Sequence, residues 1–223
     1  MAHTLELQAI DSLTHDTYRL VFEKPSGYAY EPGQATELTL QRDGLRDESR
    51  PFTFTSQPED DALEFVIKSY PDHEGGVTKH IPSLEPGETV EIGDAWGAIS
   101  DRGPGVFIAG GAGITPFIPI LRRRAREGSL AGCTLVFSNK TEKDIILRDE
   151  WERMDGLDLW LLVTSEDSSP LAHRRLDRDA LRERFPDAKS LRYYLCGPMP
   201  MVKGLTEALE DLGASTDSLV FEK

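Results

Sequence analysis

Val106-Phe107-Ile108-Ala109-Gly110-Gly111-Ala112-Gly113-Ile114-Thr115-Pro116 joins a short apolar run to a glycine cluster and then to residues that favour a helix start. An apolar run bounded in this way reads as a buried strand. Glycines directly after a strand let the backbone approach a phosphate, and the unpaired N–H groups of a following helix attract an anion. Thr115 and Pro116 suit the N-cap and first helical positions. Phe117, Ile120, Leu121 and Ala125 then recur at helical spacing until Gly128. Pro116 stands where a GxGxxG fingerprint has its third glycine, so the match to that motif is incomplete. A tight strand-to-helix turn without a ligand would share this local pattern.

Downstream, the same alternation continues. Residues 134–138 read as a second buried strand, a helical stretch follows around 148–154, and 159–164 and 193–196 read as further strands. Met201, Val202, Leu205, Leu209 and Leu212 line one helix face, which Gly213 closes. Strand–helix alternation predicts a parallel, doubly wound α/β sheet. Within it, Cys196-Gly197-Pro198-Met199 follows a strand and precedes a helix, at the sheet edge where such folds bind ligands. A small buried thiol with no ligand is the plain alternative for Cys196.

Upstream of Asp101-Arg102-Gly103-Pro104-Gly105 the rhythm is different. Residues 5–10, 18–23, 35–40, 52–55, 63–69 and 89–92 are short and rich in β-branched or aromatic residues, with turn chemistry such as Pro32-Gly33 and Glu85-Pro86-Gly87 between them. Six such strands predict a small closed antiparallel β-barrel, with one helix near 78–84. The boundary is expected near residue 102, giving domains 1–102 and 103–223. Arg50-Pro51-Phe52-Thr53 heads one strand and offers a guanidinium for phosphate beside a ring face and a hydroxyl, although strands commonly start this way without a ligand. Gly75-Gly76-Val77-Thr78 offers a second backbone cradle at a helix start.

Composition bounds the function. With 223 residues, 39% hydrophobic and 29% charged, the chain is a folded protein rather than a disordered one. A net charge of −14 argues against nucleic acid, which demands clustered Lys and Arg. The simplest reading of the acid excess is a solvating surface. No run of apolar residues is long enough for a membrane span, and no secretion signal is visible. Cys133 and Cys196 cannot form a zinc site or an iron–sulfur cluster, so no metal is expected. A cytoplasmic monomer is the expectation.

Taken in order, these segments resemble the ferredoxin–NADP reductase superfamily, in particular its cytochrome b5 reductase and flavodoxin reductase branches. The resemblance implies a six-stranded Greek-key barrel holding FAD, followed by a nucleotide domain holding NAD(P)H. Arg50 would meet the FAD pyrophosphate, Phe52 would stack near the isoalloxazine, and Thr53 would hydrogen-bond flavin N5. Phe52 stands where relatives usually carry Tyr. Val66-Ile67-Lys68 resembles the strand whose backbone holds the flavin, and Gly75, Gly76, Val77 and Thr78 the second FAD-phosphate segment. Gly111, Ala112, Gly113, Thr115 and Pro116 fall in the nicotinamide-nucleotide loop. Cys196, Gly197, Pro198 and Met199 fall beside the nicotinamide, with Phe221 near the ring. The stretch from Ser138 through Lys140 to Arg148 is similar to a b5 reductase segment.

The activity so implied is hydride transfer from NAD(P)H to FAD, with Thr53 and Cys196 lining the contact. Electrons would then pass to a separate carrier such as flavodoxin, ferredoxin, a cytochrome or an oxygenase component. A reductase of free flavin or ferric chelates is the nearest alternative. A non-catalytic nucleotide-sensing module is the alternative from another class. Glu166, after the strand at 159–164, is placed to accept from a free ribose and so favours NADH, whereas Lys140, Arg174 and Arg175 would favour NADPH.

Overall fold

The computed structural model describes residues 2–73, 76–97, 99–215 and 219–221, without the side chains of Ala172, His173 and Phe221. Six antiparallel strands come first: β1 (His3–Ser12), β2 (Thr17–Glu23), β3 (Ala35–Leu40), β4 (Ser49–Thr53), β5 (Ala62–Lys68) and β6 (Thr89–Ile92). Their alternation sends one face inward, where Leu7, Leu20, Phe22, Leu38, Leu40, Leu63 and Phe65 are essentially inaccessible to solvent. The strands are ordered β4-β3-β6-β1-β2-β5, with β6 inserted between β3 and β1 as a Greek key requires. A bridge between Phe54 and Phe65, beside a 2.8 Å hydrogen bond from Thr55 N to Glu64 O, brings the two outer strands together and nearly closes the barrel.

Two details differ from the sequence-based expectation. The fourth strand starts three residues before the expected 52–55, ends two residues before it does, and includes Pro51, which an outer strand tolerates because one side of its backbone needs no ladder donor. The helix near 78–84 is a 3₁₀ turn, Val77–Ser83, containing Pro82. It packs Val77 and Ile81 into the barrel core.

The remaining strands form one parallel sheet: β7 (Val106–Gly110), β8 (Thr134–Asn139), β9 (Asp158–Val163), β10 (Ala172–His173), β11 (Tyr193–Cys196) and β12 (Leu219–Phe221), ordered β10-β9-β8-β7-β11-β12. Helices α1 (Phe117–Arg126), α2 (Arg148–Glu152), α3 (Arg178–Arg184) and α4 (Met199–Asp211) connect them. One apolar cluster joins the sheet to α1 and Trp151, and another joins its opposite face to α3 and α4. The strand order reverses between β7 and β11, so the ligand-binding crevice expected of such sheets opens where Gly110 and Cys196 end their strands.

Thr115 does not cap α1. Gly111–Ile114 already turns as a 3₁₀ helix, which gives Thr115 helical angles (φ −56°, ψ −43°) rather than the extended conformation an N-cap needs. Pro116 therefore occupies the cap position, without a side-chain cap bond, and α1 starts at Phe117.

The segment joining barrel and sheet is pinned. Tyr194 Oη accepts from Arg102 N at 2.9 Å and donates to Gly103 O at 2.7 Å, Arg192 donates to Arg102 O, and Arg124 pairs with Asp101. Among the described residues, no helix is long and apolar enough to cross a membrane.

Candidate active site

A cleft of about 1490 Å³ separates the barrel from the carboxyl edge of the parallel sheet. From the barrel come Pro51, Phe52 and Thr53 at the end of β4, Val66, Ile67 and Lys68 on β5, the loop from Ser69 to His73, and Thr78. Facing them are Gly110 to Gly113 and Thr115 from the end of β7, Ser138 to Thr141 from the end of β8, Thr164 and Ser165 after β9, and Cys196 to Pro198 from the end of β11. Segments far apart in sequence thus converge because each terminates a strand on the same side.

The glycines explain how the floor is built. A Cβ on Gly113 would strike the carbonyl of Cys196 and lie 2.6 Å from Gly197 N, so the two loops pack backbone against backbone. Gly111 has φ +53°, a left-handed conformation that side chains disfavour, and the space beyond its Cα is open. A Cβ there would project into a cradle that a phosphate can fill.

Charge in the cleft is mixed. Although the chain carries −14, Lys68, Lys140 and Lys143 line the cleft and offset Asp16, Asp72 and Asp144 there. Lys68 Nζ lies 2.8 Å from Asp16 Oδ2 and 3.7 Å from Asp144 Oδ1. His15 Nε2 is 3.5 Å from Asp16 and 3.7 Å from Asp144. These three ligand-type groups lie close enough to hold a metal, but the Lys68 ammonium already supplies their cation. Burial works to raise the Asp16 pKa, yet the bonds from Lys68, Thr14 and Thr17 together hold it below the usual value.

Several expected site residues lie elsewhere. Arg50 is exposed on the barrel surface, where it donates to Ser49 O at 2.6 Å and pairs with Glu48 at 2.9 Å. Gly75 lies outside the described residues. Gly76 is buried and spends its N–H on His73 O, and Val77 is committed to the barrel core. Pro116 is buried at the start of α1 and does not line the cleft, and Met199 is 77% exposed. Glu166 accepts from Glu142 N at 2.7 Å and does not line the cleft; Thr164 and Ser165 do so instead. The backbone of Phe221 belongs to β12, and its side chain is among those not described.

Other lining residues went unrecognised in the sequence. His15 and Asp16 sit in an ordinary-looking β-turn, and only folding brings them to Asp144. Asp144 did carry a local signal: Thr141-x-x-Asp144 forms a capping box, with both Thr141 N and Oγ1 donating to Asp144 Oδ2 at 2.9 and 2.6 Å. Asn139 is 5% exposed, and its amide has no hydrogen-bond partner among the described residues.

This arrangement suits two anionic dinucleotides: Phe52 and the β5 segment at Val66 and Ile67 for a flat ring, a facing glycine loop, and three lysines in the lining. Comparison with known proteins agrees. Residues 4–100 match the family "Oxidoreductase FAD-binding domain" and residues 107–207 match "Oxidoreductase NAD-binding domain". The chain is 29% identical to NADH-cytochrome b5 reductase 2 of Mycosarcoma maydis, over 90% of its own length and 63% of that protein. It is 30% identical to the propane 2-monooxygenase reductase component of Rhodococcus jostii, over 96% of its length and 61% of that protein. With NADH-cytochrome b5 reductase 1 of Aspergillus terreus it shares 31% identity, over 88% of this chain and 72% of the relative. The chain thus spans less than two thirds of the first two relatives.

Among solved structures, the CS-b5R domains of human Ncb5or superpose with a TM-score of 0.87 at 23% identity, covering 99% of this chain and 69% of that one. A ferredoxin NADP+ reductase from Neisseria gonorrhoeae with bound FAD and NADP gives 0.85 at 18% identity, over 99% and 97% of the two chains. The protein belongs to the ferredoxin–NADP reductase superfamily, alongside the cytochrome b5 reductases, and is built from an FAD-binding and an NAD-binding domain.

Proposed function

We propose that this protein is a flavoprotein reductase that takes a hydride from NADH and delivers electrons to a separate carrier protein. The observation carrying this reading is the convergence of Phe52 and Thr53 from the barrel with Gly110–Gly113 and Cys196 from the sheet on one cleft. When bound, FAD supplies the conversion of a two-electron donor into one-electron steps. The chain's own work is positioning. Phe52 and the β5 segment Val66–Ile67 offer a wall for the flavin ring, Ile67 through its backbone because its side chain is in the barrel core, and Thr53 brings a hydroxyl to the ring's reacting edge. Across the cleft, the Gly110–Thr115 loop seats the dinucleotide phosphates and Cys196 packs beside the nicotinamide. Domain division falls near residue 102, in the segment pinned by Tyr194.

The names of the relatives support NADH as donor and a protein acceptor of the cytochrome or oxygenase type. Purified protein tests this reading. It is expected to be yellow and to bleach anaerobically with NADH faster than with NADPH. It should then reduce a cytochrome or oxygenase component in preference to ferric chelates or free flavin. A protein that binds nucleotide without bleaching is a sensor module, and the reductase reading is then wrong.

A further inference from the structure

Arg122 does not line the cleft, yet it ties together the two segments that must face each other across it. It lies on α1, the helix that the glycine loop leads into. Its Nε and Nη2 donate to the two carboxylate oxygens of Glu150 on α2 at 2.7 and 2.9 Å. Its Nη1 crosses to the barrel and donates to Thr55 O at 3.1 Å and Glu64 Oε1 at 3.0 Å. Thr55 lies two residues beyond Thr53, and both its N–H and its hydroxyl are held by Glu64, the hydroxyl at 2.9 Å. A second tie runs parallel: Gln57 Nε2 donates to Pro119 O at 2.9 Å in a buried contact.

The same helix provides the contrast. Arg123 pairs with Glu59 and Glu31, whose side chains are 69% and 78% exposed, and Arg126 pairs with Asp60 while itself 60% exposed. Pairs of that kind are screened and contribute little. Arg122 is 22% exposed, and its planar fork satisfies a bidentate carboxylate, a second carboxylate and a main-chain carbonyl at once.

We infer that Arg122 is a positioning residue for hydride transfer: it sets the spacing between the Phe52–Thr53 segment and the Gly110–Thr115 loop without touching either cofactor. This rests on the proposed reductase reading. Reactions between held partners are steep in distance, a misplacement of about 1 Å costing roughly a hundredfold. An Arg122→Met variant of the FAD-loaded protein is therefore expected to keep its FAD and its affinity for NAD+. Its limiting rate of flavin reduction, followed by stopped flow, should fall about ten- to hundredfold. The long-wavelength charge-transfer absorbance between flavin and nicotinamide should weaken in parallel.

Arg122→Lys, which keeps the charge but not the fork, should fall in between, and Arg123→Ala should match the unaltered protein. Should Arg122→Met lose its flavin, Arg122→Lys and Glu64→Gln are judged by the same two readouts. An unchanged limiting rate with an undiminished charge-transfer band overturns the inference. So does a loss of NAD+ affinity that accounts for the whole loss of rate, because Arg122 would then act on binding alone. Failure of the unaltered protein to be reduced would overturn the reductase reading itself, a distinguishable result.

Discussion

Arg50 shows how a residue readable in sequence can be found away from its expected partner. With both ends in water, its pairing with Glu48 is worth little, because exposed ion pairs are screened and entropically costly. A phosphate placed beside it is a stronger acceptor, typically worth roughly 1.5–3 kcal/mol in a charge-assisted bond. Arg50→Ala is therefore expected to weaken FAD binding about ten- to hundredfold, read from flavin release on dilution. Unchanged affinity would leave Arg50 as a surface residue.

Cys196 is half-buried at the end of β11 and lines the cleft on the side opposite the barrel. Cys196→Ser should slow flavin reduction while flavin stays bound, and stopped-flow traces matching the unaltered protein would reduce it to a packed thiol. These residues were legible because each sits in a short motif with local chemistry. Asp16 was not, and neither was its pairing with Lys68, because that relation exists only after β1 and β2 close against β5. Glu166 was legible as an acid after a strand, but not as the acceptor for Glu142 N, a partner 24 positions away.

At the scale of elements, the glycine loop and the β11 loop act as one unit. Gly113→Ala would press a methyl group into the Cys196–Gly197 backbone, which no side-chain rotation relieves. Overpacking of that kind costs typically 1–3 kcal/mol. The expected outcome is a lower Tm together with weaker NAD+ binding by calorimetry, with FAD content preserved because the barrel is untouched. Gly111→Ala meets no neighbour in the protein, so it should cost the left-handed turn, about 1–2 kcal/mol, and its methyl group should weaken nucleotide binding at the cradle.

Elements with a clear apolar pattern were readable: the strands at 35–40, 89–92 and 193–196 and the helix closed by Gly213 were all anticipated. The missed ones lack such a pattern. β10 has two residues and β12 three, too few for alternation to register. The seven residues of α3 read as mostly charged, although Asp177 accepts from Ala180 N at 2.8 Å and marked its start.

On the scale of the whole molecule, the cleft between the two halves carries a titrating contact within its barrel wall, where Asp16, between β1 and β2, pairs with Lys68 on β5. Asp16 is held below the ordinary aspartate value of about 3.9, so the stability it contributes is fully present above that pH and is lost as pH falls through the folded value. Asp16→Asn should therefore lower stability at neutral pH by roughly 1–2 kcal/mol, the low end of a charged hydrogen bond because the site is partly open to solvent. Its difference from the unaltered protein should shrink below about pH 4. Denaturant midpoints measured across that range at constant salt check it, and a difference independent of pH would show that the Lys68 pairing is not what matters.

In the proposed reaction nicotinamide and flavin meet face to face in one cleft. Anaerobic reduction of the protein with NADH carrying deuterium on one face of C4 or the other, followed by mass spectrometry of the recovered NAD+, checks this. The expected result is full bleaching of one flavin per NADH, with label lost completely from one face and retained completely on the other. Random loss from both faces, or bleaching that leaves the label in place on both, would contradict it.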